Sequence, residues 1–123
     1  MVAIKPVDAH RAAEICARLR LPCSEDRVVM EATAEGEYVG SAVFRLGDRL
    51  LLDYVDYTAG DDGLCDLIAR AAMNYAINRS VEVCAAGPTC PLDVFVRLGY
   101  IDMPLPSEIN IIGLFSGCKS CNK

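Results

Sequence analysis

The sequence predicts one α/β domain of the mixed α+β kind, with helices flanking a central sheet that is mixed but mostly antiparallel. Three observations predict it. Short turns join three consecutive strand patterns, as in an antiparallel meander. A helix with a clear apolar face follows the meander. The chain then alternates strand, helix and strand, which is typical of crossover connections. Its 123 residues suit a single domain, and 53 % hydrophobic residues are enough for one buried core.

The chain is predicted to begin with a strand over residues 2–7 and a helix capped by Asp8. Pro22 would end that helix. Its apolar face is given by residues at helical spacing: Ala9, Ala12, Ala13, Ile15, Cys16 and Leu19.

The meander is predicted from strands over residues 28–33, 38–46 and 50–57, separated by turns at 34–37 and 47–48. Strict alternation predicts which residues of the second strand share a face. One face holds Tyr38, Gly40, Ala42, Phe44 and Leu46, and the other holds Ser41 and Arg45.

A polar loop over residues 58–63 precedes the clearest helix pattern in the chain. Its apolar positions recur at i, i+3, i+4, i+7, i+8 and i+11: Leu64, Leu67, Ile68, Ala71, Ala72 and Tyr75. A buried strand is predicted over residues 80–86. Pro91 suits the first turn of a short helix that Gly99 ends. A brief strand over 100–103 and a last apolar strand over 109–115 follow.

Charge and hydropathy exclude several classes of partner. The net charge is −5, and no run of Lys and Arg offsets it, so nucleic acid and anionic lipid are not expected partners. No apolar run is long enough to cross a membrane. The first residues lack the apolar stretch of a secretion signal, so we expect a cytoplasmic protein.

The seven cysteines are an odd number, which disfavours a disulfide scaffold. Cys16, Cys65 and Cys84 lie in apolar segments and are predicted to be buried free thiols. Residues 1–116 would form the domain and 117–123 a tail carrying Cys118 and Cys121. A single CxxC can be half a zinc site, a redox pair or two free thiols. Free thiols are favoured, and a zinc bridge between subunits is the alternative.

Three stretches are similar to one known family. They are Ile4-Lys5-Pro6-Val7-Asp8, the strand Leu51-Leu52-Asp53-Tyr54-Val55-Asp56-Tyr57 with Gly63 behind it, and Phe95-Val96-Arg97-Leu98-Gly99-Tyr100. Their order resembles the GNAT acyl-CoA-dependent N-acetyltransferases over nearly the whole chain. The resemblance implies an acyl-CoA N-acyltransferase-like fold.

The resemblance also implies a cofactor, acetyl-CoA or another acyl-CoA. Backbone groups of Val55, Asp56 and Tyr57 would hold its pantetheine arm and polarise the thioester carbonyl. A helix N-terminus suits the pyrophosphate because it exposes N–H groups and partial positive charge. The residues placed there are Asp62, Gly63, Leu64 and Cys65. The acceptor would be a small-molecule or peptide amine.

The sequence departs from the family pattern at four positions. Gly60 stands where the family has Gln or Arg, and Asp61 and Asp62 add negative charge beside the pyrophosphate. The same two acids would favour the helix dipole, and that interpretation is preferred. Phe95 replaces the tyrosine that many members use as general acid. These departures favour the alternative of a non-catalytic module that binds a ligand or protein.

Candidate general bases are Asp53 and Asp56, predicted on opposite faces of one strand, and Glu31 on a neighbouring strand. Each also fits an exposed strand carboxylate. His10 is expected on the surface. The short connection over residues 21–26 would leave the acceptor site open to solvent or partly supplied by a second subunit. The sequence is therefore also compatible with a homodimer.

Overall fold

A computed structural model describes residues 1–22, 26–87, 90–101 and 108–116. Ten elements follow one another along the chain: β1 (Val2–Pro6), α1 (Ala9–Arg18), β2 (Arg27–Ala34), β3 (Glu37–Leu46), β4 (Leu50–Asp56), α2 (Asp62–Ile77), β5 (Val83–Ala86), α3 (Leu92–Arg97), β6 (Glu108–Asn110) and α4 (Ile111–Ser116).

The six strands form one sheet in chain order, β1-β2-β3-β4-β5-β6. All neighbouring pairs are antiparallel except β4 and β5, which are parallel and joined by α2. Short turns join β2 to β3 and β3 to β4, while α1 and α3 lie in the connections of the other two antiparallel pairs. The parallel pair has the long crossover that parallel strands need. The predicted mixed, mostly antiparallel sheet flanked by helices is therefore confirmed.

Helices cover the sheet from both faces. The main core joins one sheet face to buried residues of α2, α3 and α4, among them Phe44, Ile68 and Phe95. A smaller core lies under α1, where Ile15 and Cys16 pack against Val29 and Val43. No helix within the described ranges is long and apolar enough to span a membrane.

Capping residues explain where α1 begins and where α3 ends. Asp8 caps α1, as predicted, by accepting the Arg11 N–H at 2.8 Å. The helix ends at Arg18, ahead of Pro22. Gly99 follows α3 with φ +82, a conformation that only glycine adopts readily, so its predicted role at the helix end is also confirmed.

The last part of the chain differs from the prediction. Of the predicted strand 109–115, only Ile109 and Asn110 lie in β6, and the chain then turns into α4. The Asn110 side chain accepts the Gly113 N–H at 3.1 Å, as a helix cap does. A short apolar run is compatible with a strand or a helix, and here the Asn110 cap favours the helix.

Two neighbouring predictions also change. Tyr100 and Ile101 are not in a strand, and the rest of the predicted strand 100–103 lies outside the described residues. The strand predicted over residues 80–86 is shorter, because Ser80 has φ +66 and the Val81 N–H still bonds to Ala76 at the end of α2.

One register shift moves Tyr38 to the unexpected face. Ala32 pairs with Gly40 while Thr33 pairs with Tyr38, so Val39 is an extra residue in β3. A bulge of this kind flips the alternation beyond it. Tyr38 therefore packs against the core under α1, and its predicted place beside Gly40 was wrong.

A second shift lies in β4. Val43 pairs with Tyr54 and Phe44 with Leu52, which leaves Asp53 as the extra residue. Asp53 and Asp56 consequently share the α1 face of the sheet, and their predicted placement on opposite faces was wrong.

Candidate functional site

β4 separates from β5 halfway along its length. The parallel pairing covers only Leu50, Leu51 and Leu52. The Leu52 carbonyl accepts the Gly87 N–H at 2.9 Å and the Cys90 thiol at 3.1 Å. Past this point, residues 53–56 have no β5 partner within the described chain. One edge of this splayed segment is therefore open, and Val55 and Asp56 lie on it.

The chain passes from this segment through a short loop into α2. Asp61 is the N-cap of α2, and its carboxylate accepts the Leu64 N–H at 3.0 Å. The four predicted phosphate-site residues form the first turn: Asp62, Gly63, Leu64 and Cys65. The interpretation of the two acids as helix N-terminal residues is confirmed.

The backbone at this turn can be closely approached. A Cβ built on Gly60 would meet nothing within 4 Å, and one on Gly63 would meet only the Asp61 carboxylate at 3.6 Å. A ligand could therefore come as close as van der Waals contact allows.

Arg97 brings positive charge to the same place. Its Nε and Nη2 donate to the two Asp62 oxygens at 2.9 and 3.2 Å, and this hydrogen bonding lowers the pKa of Asp62. Asp93 lies 3.5 Å from the same guanidinium. Sequence reasoning missed Arg97, because 35 residues separate it from its partner.

Tyr57 and Cys65 lie on the core side of the turn. Burial is the main cause that raises the pKa of Tyr57, and nearby Cys65 adds to it. The Cys65 side chain is wholly buried, and burial raises the pKa of its thiol to about 12. The thiol is therefore not available to a phosphate, and the Cys65 backbone N–H donates to the Asp61 carbonyl oxygen at 3.1 Å. Cys84 and Cys90 are likewise buried free thiols, and Cys16 is buried, so the predicted burial of Cys16, Cys65 and Cys84 is confirmed.

Two of the three candidate bases are engaged in ion pairs. Arg11 holds Glu31 through two hydrogen bonds of 3.1 and 2.7 Å, which lower the pKa of the carboxyl. Arg45 holds Asp53 at 3.2 and 3.0 Å, and Arg27 approaches it to 3.4 Å. The lowered pKa makes Glu31 a weaker base.

Asp56 has a different environment, which we call the Tyr38 cluster: Tyr38, Ser41, Asp56 and Arg18. The Tyr38 hydroxyl donates to Asp56 Oδ2 at 2.6 Å and lies 2.9 Å from the buried Ser41 Oγ. The Arg18 guanidinium lies 4.3 Å from the centre of the Tyr38 ring. Burial, and then the bond to Asp56, raise the pKa of Tyr38 to about 12. Strict alternation hid this cluster, since the bulge in β3 creates it.

The described residues bring no three metal-ligating side chains together. Cys118 and Cys121, the predicted alternative zinc ligands, lie outside the described residues.

No family model matches the sequence, and no curated protein matches it. Solved structures do match the fold. The ribosomal-protein-alanine N-acetyltransferase of Brucella melitensis biovar Abortus 2308 is 17 % identical, with a TM-score of 0.60 over 80 % of this chain and 90 % of that one. The ribosomal-protein-S18-alanine N-acetyltransferase of Escherichia coli is 15 % identical, with a TM-score of 0.60 over 80 % and 77 %.

A third match is a diaminobutyrate acetyltransferase from Paenibacillus lautus, in complex with its substrate and coenzyme A. It is 16 % identical, with a TM-score of 0.60 over 81 % of this chain and 74 % of that one. The chain has the GNAT fold.

In this fold, α3 is the helix from which a general acid is expected. The resemblance places Phe95 where many GNAT enzymes have a tyrosine that acts as general acid. Phe95 is completely buried, and the centre of its ring lies 5.1 Å from that of Tyr100. Tyr100 donates its hydroxyl to Asp66, and burial strongly raises its pKa. Neither residue supplies a proton to the splayed segment of β4.

Proposed function

We propose that the chain binds acetyl-CoA or another acyl-CoA and transfers the acyl group to an amine. One observation carries the proposal: the segment of β4 that has separated from β5 leads through the short loop 57–61 directly into the N-terminus of α2. When bound, the acyl-CoA supplies its acyl group as a thioester.

The pantetheine arm fits the open edge of β4. Strand hydrogen-bonding groups face outward where no β5 partner is present, and an extended ligand can pair with them. The residues that would hold it are Val55, Asp56 and Tyr57. Only their backbone groups are needed for this pairing.

The pyrophosphate end fits less well. The N–H groups of Asp62 and Gly63 and the dipole of a 16-residue helix favour an anion, whereas the Cys65 N–H donates to the Asp61 carbonyl oxygen at 3.1 Å. Arg97 offsets the charge of Asp62. Asp61, however, occupies the Leu64 N–H and adds a negative charge, so binding requires its carboxylate to give way or to share the turn.

The acceptor is proposed as a small-molecule or peptide amine. The matched solved structures include acetyltransferases of a ribosomal-protein alanine and of diaminobutyrate, and both are amine acceptors. At these identities they support the general class of acceptor only.

A non-catalytic GNAT-like binding module is the second candidate. The complete burial of Phe95 and the Asp61 carboxylate on the Leu64 N–H favour it. It shares the fold and the open β4 edge with the enzyme, so acyl-CoA binding distinguishes the two.

Calorimetric titration of acetyl-CoA and CoA into the reduced full chain tests the proposal. Micromolar binding is expected. Gly63→Asp should weaken acetyl-CoA binding about tenfold, because the added carboxylate repels the pyrophosphate. The fold should tolerate the change, since an acid in the first turn of a helix favours the helix dipole. Gly47→Asp is the matched control, since a Cβ there meets nothing within 4 Å and the turn lies elsewhere. No binding at millimolar ligand would remove the transferase and leave the module.

A further inference from the structure

Several charged residues on the α1 face of the sheet form ion pairs. Arg11 pairs with Glu14 and Glu31, and Asp53 pairs with two arginines. Within the described residues, neither Asp56 nor Arg18 forms an ion pair. Both instead contact the same side chain, Tyr38.

Tyr38 contacts the two charged groups through different parts of its side chain. Its hydroxyl donates to Asp56 at 2.6 Å, and its ring face carries the Arg18 guanidinium at 4.3 Å. The aromatic ring keeps the carboxylate and the guanidinium from closing on each other. Tyr38 remains a neutral donor, since its pKa is raised to about 12, and Ser41 fixes the hydroxyl from the buried side.

Both charged groups can be reached from solvent. Arg18 is exposed at the end of α1, and Asp56 is half-buried at the end of β4. Asp56 also follows Val55 on the segment that has lost its β5 partner. A ligand held by Asp56 would thus lie against the open edge of β4.

We propose that the Tyr38 cluster binds a molecule carrying both a primary ammonium and a carboxylate, with the ammonium on Asp56 and the carboxylate on Arg18. A carboxylate accepts hydrogen bonds from an ammonium, and a guanidinium matches a carboxylate in a two-bond fork. The assignment of this molecule as the acyl acceptor rests on the proposed function. Its binding does not.

The test uses three probes of the same length: γ-aminobutyrate, n-butylamine and butyrate. Each is titrated into the ¹⁵N-labelled full chain without acyl-CoA, and amide shifts are followed. We expect γ-aminobutyrate to bind about fivefold or more tightly than either single-charge probe, since each exposed ion pair adds a modest gain. The shifts should centre on Tyr38, Ser41 and Asp56.

Variants assign the two ends. Arg18→Gln should abolish the preference for γ-aminobutyrate over n-butylamine, and Asp56→Asn should weaken both amines. Arg79→Gln is the matched control for the first, because Arg79 lies over the Tyr75 ring at 3.6 Å in another part of the fold. The exposed Glu82→Gln controls for lost negative charge.

Equal binding of the three probes, shifts centred elsewhere, no binding at all, or a preference that survives Arg18→Gln would overturn the proposal. A separate acetyl-CoA titration keeps the two hypotheses apart. Amine binding without acetyl-CoA binding would support the site at the Tyr38 cluster and contradict the proposed acyl transfer. The reverse result would remove only this site.

Discussion

The Asp61 carboxylate accepts the Leu64 N–H at 3.0 Å, and so caps the helix at the turn where a pyrophosphate would bind. Cap and phosphate compete for one N–H group. Asp62 is already compensated by Arg97, so Asp61 carries most of the remaining repulsion.

Asp61→Asn should therefore tighten acetyl-CoA binding by about fivefold. The amide keeps a capping oxygen, and removal of one like charge near 5 Å is worth about 1 kcal/mol. Calorimetry at low and at moderate salt measures it, and the gain should shrink with salt. Asp48→Asn, on an exposed turn, serves as control. Equal affinity of the Asp61→Asn and wild-type chains would mean that this carboxylate never faces the phosphates.

Gly40→Ala should destabilise the fold by about 2 kcal/mol or more. A Cβ at Gly40 would lie 2.4 Å from the Asp56 carbonyl oxygen and 2.6 Å from Ile68 Cδ1, so β4 or α2 has to move. Denaturant unfolding measures the loss. Gly47→Ala, in open space, should change stability little. A Gly40→Ala chain as stable as wild type would show that the close packing of β3, β4 and α2 is wrong.

Phe95→Tyr should not restore a general acid. The new hydroxyl would lie in a completely buried site and cost about 1–3 kcal/mol unless it finds a partner. We expect a lower melting temperature and no gain in thiol release from acetyl-CoA with amine present. A rise in that rate at unchanged acetyl-CoA affinity would contradict the burial of this position.

Glu31 should stabilise the protein in a pH-dependent way. Arg11 lowers the pKa of Glu31 below its ordinary value of 4.5, so its contribution is present above that pH and is lost as pH falls through the lower folded-state value. Glu31→Gln should thus lower the melting temperature at pH 7 and differ less from wild type as the solution is acidified below 4.5. Exposed Glu37→Gln is the control. A difference independent of pH would indicate that packing, rather than charge, accounts for the effect.

The features that depend on local sequence patterns were predicted correctly. The periodicity from Leu64 to Tyr75 predicted α2, and the cap Asp8 and the terminal Gly99 predicted helix ends correctly. Alternation failed on β3 and β4, because one bulged residue on each strand reverses every face beyond it.

Those two bulges explain why the candidate site was only partly predicted. They carry Tyr38 and Asp56 to one face, where hydrogen bonding joins residues 18 positions apart. The Arg97–Asp62 pair joins 35 positions, and no local pattern reports it. The open edge of β4 depends on where β5 stops, which only the folded sheet reveals.

Mapping acetyl-CoA onto the ¹⁵N-labelled full chain tests the central claim most directly. The account predicts amide shifts along residues 55–57 and 62–65, with little change in the α1 backbone at Ala12 and Ile15. Saturable shifts confined to other parts of the chain, or no shifts at millimolar ligand, would contradict it.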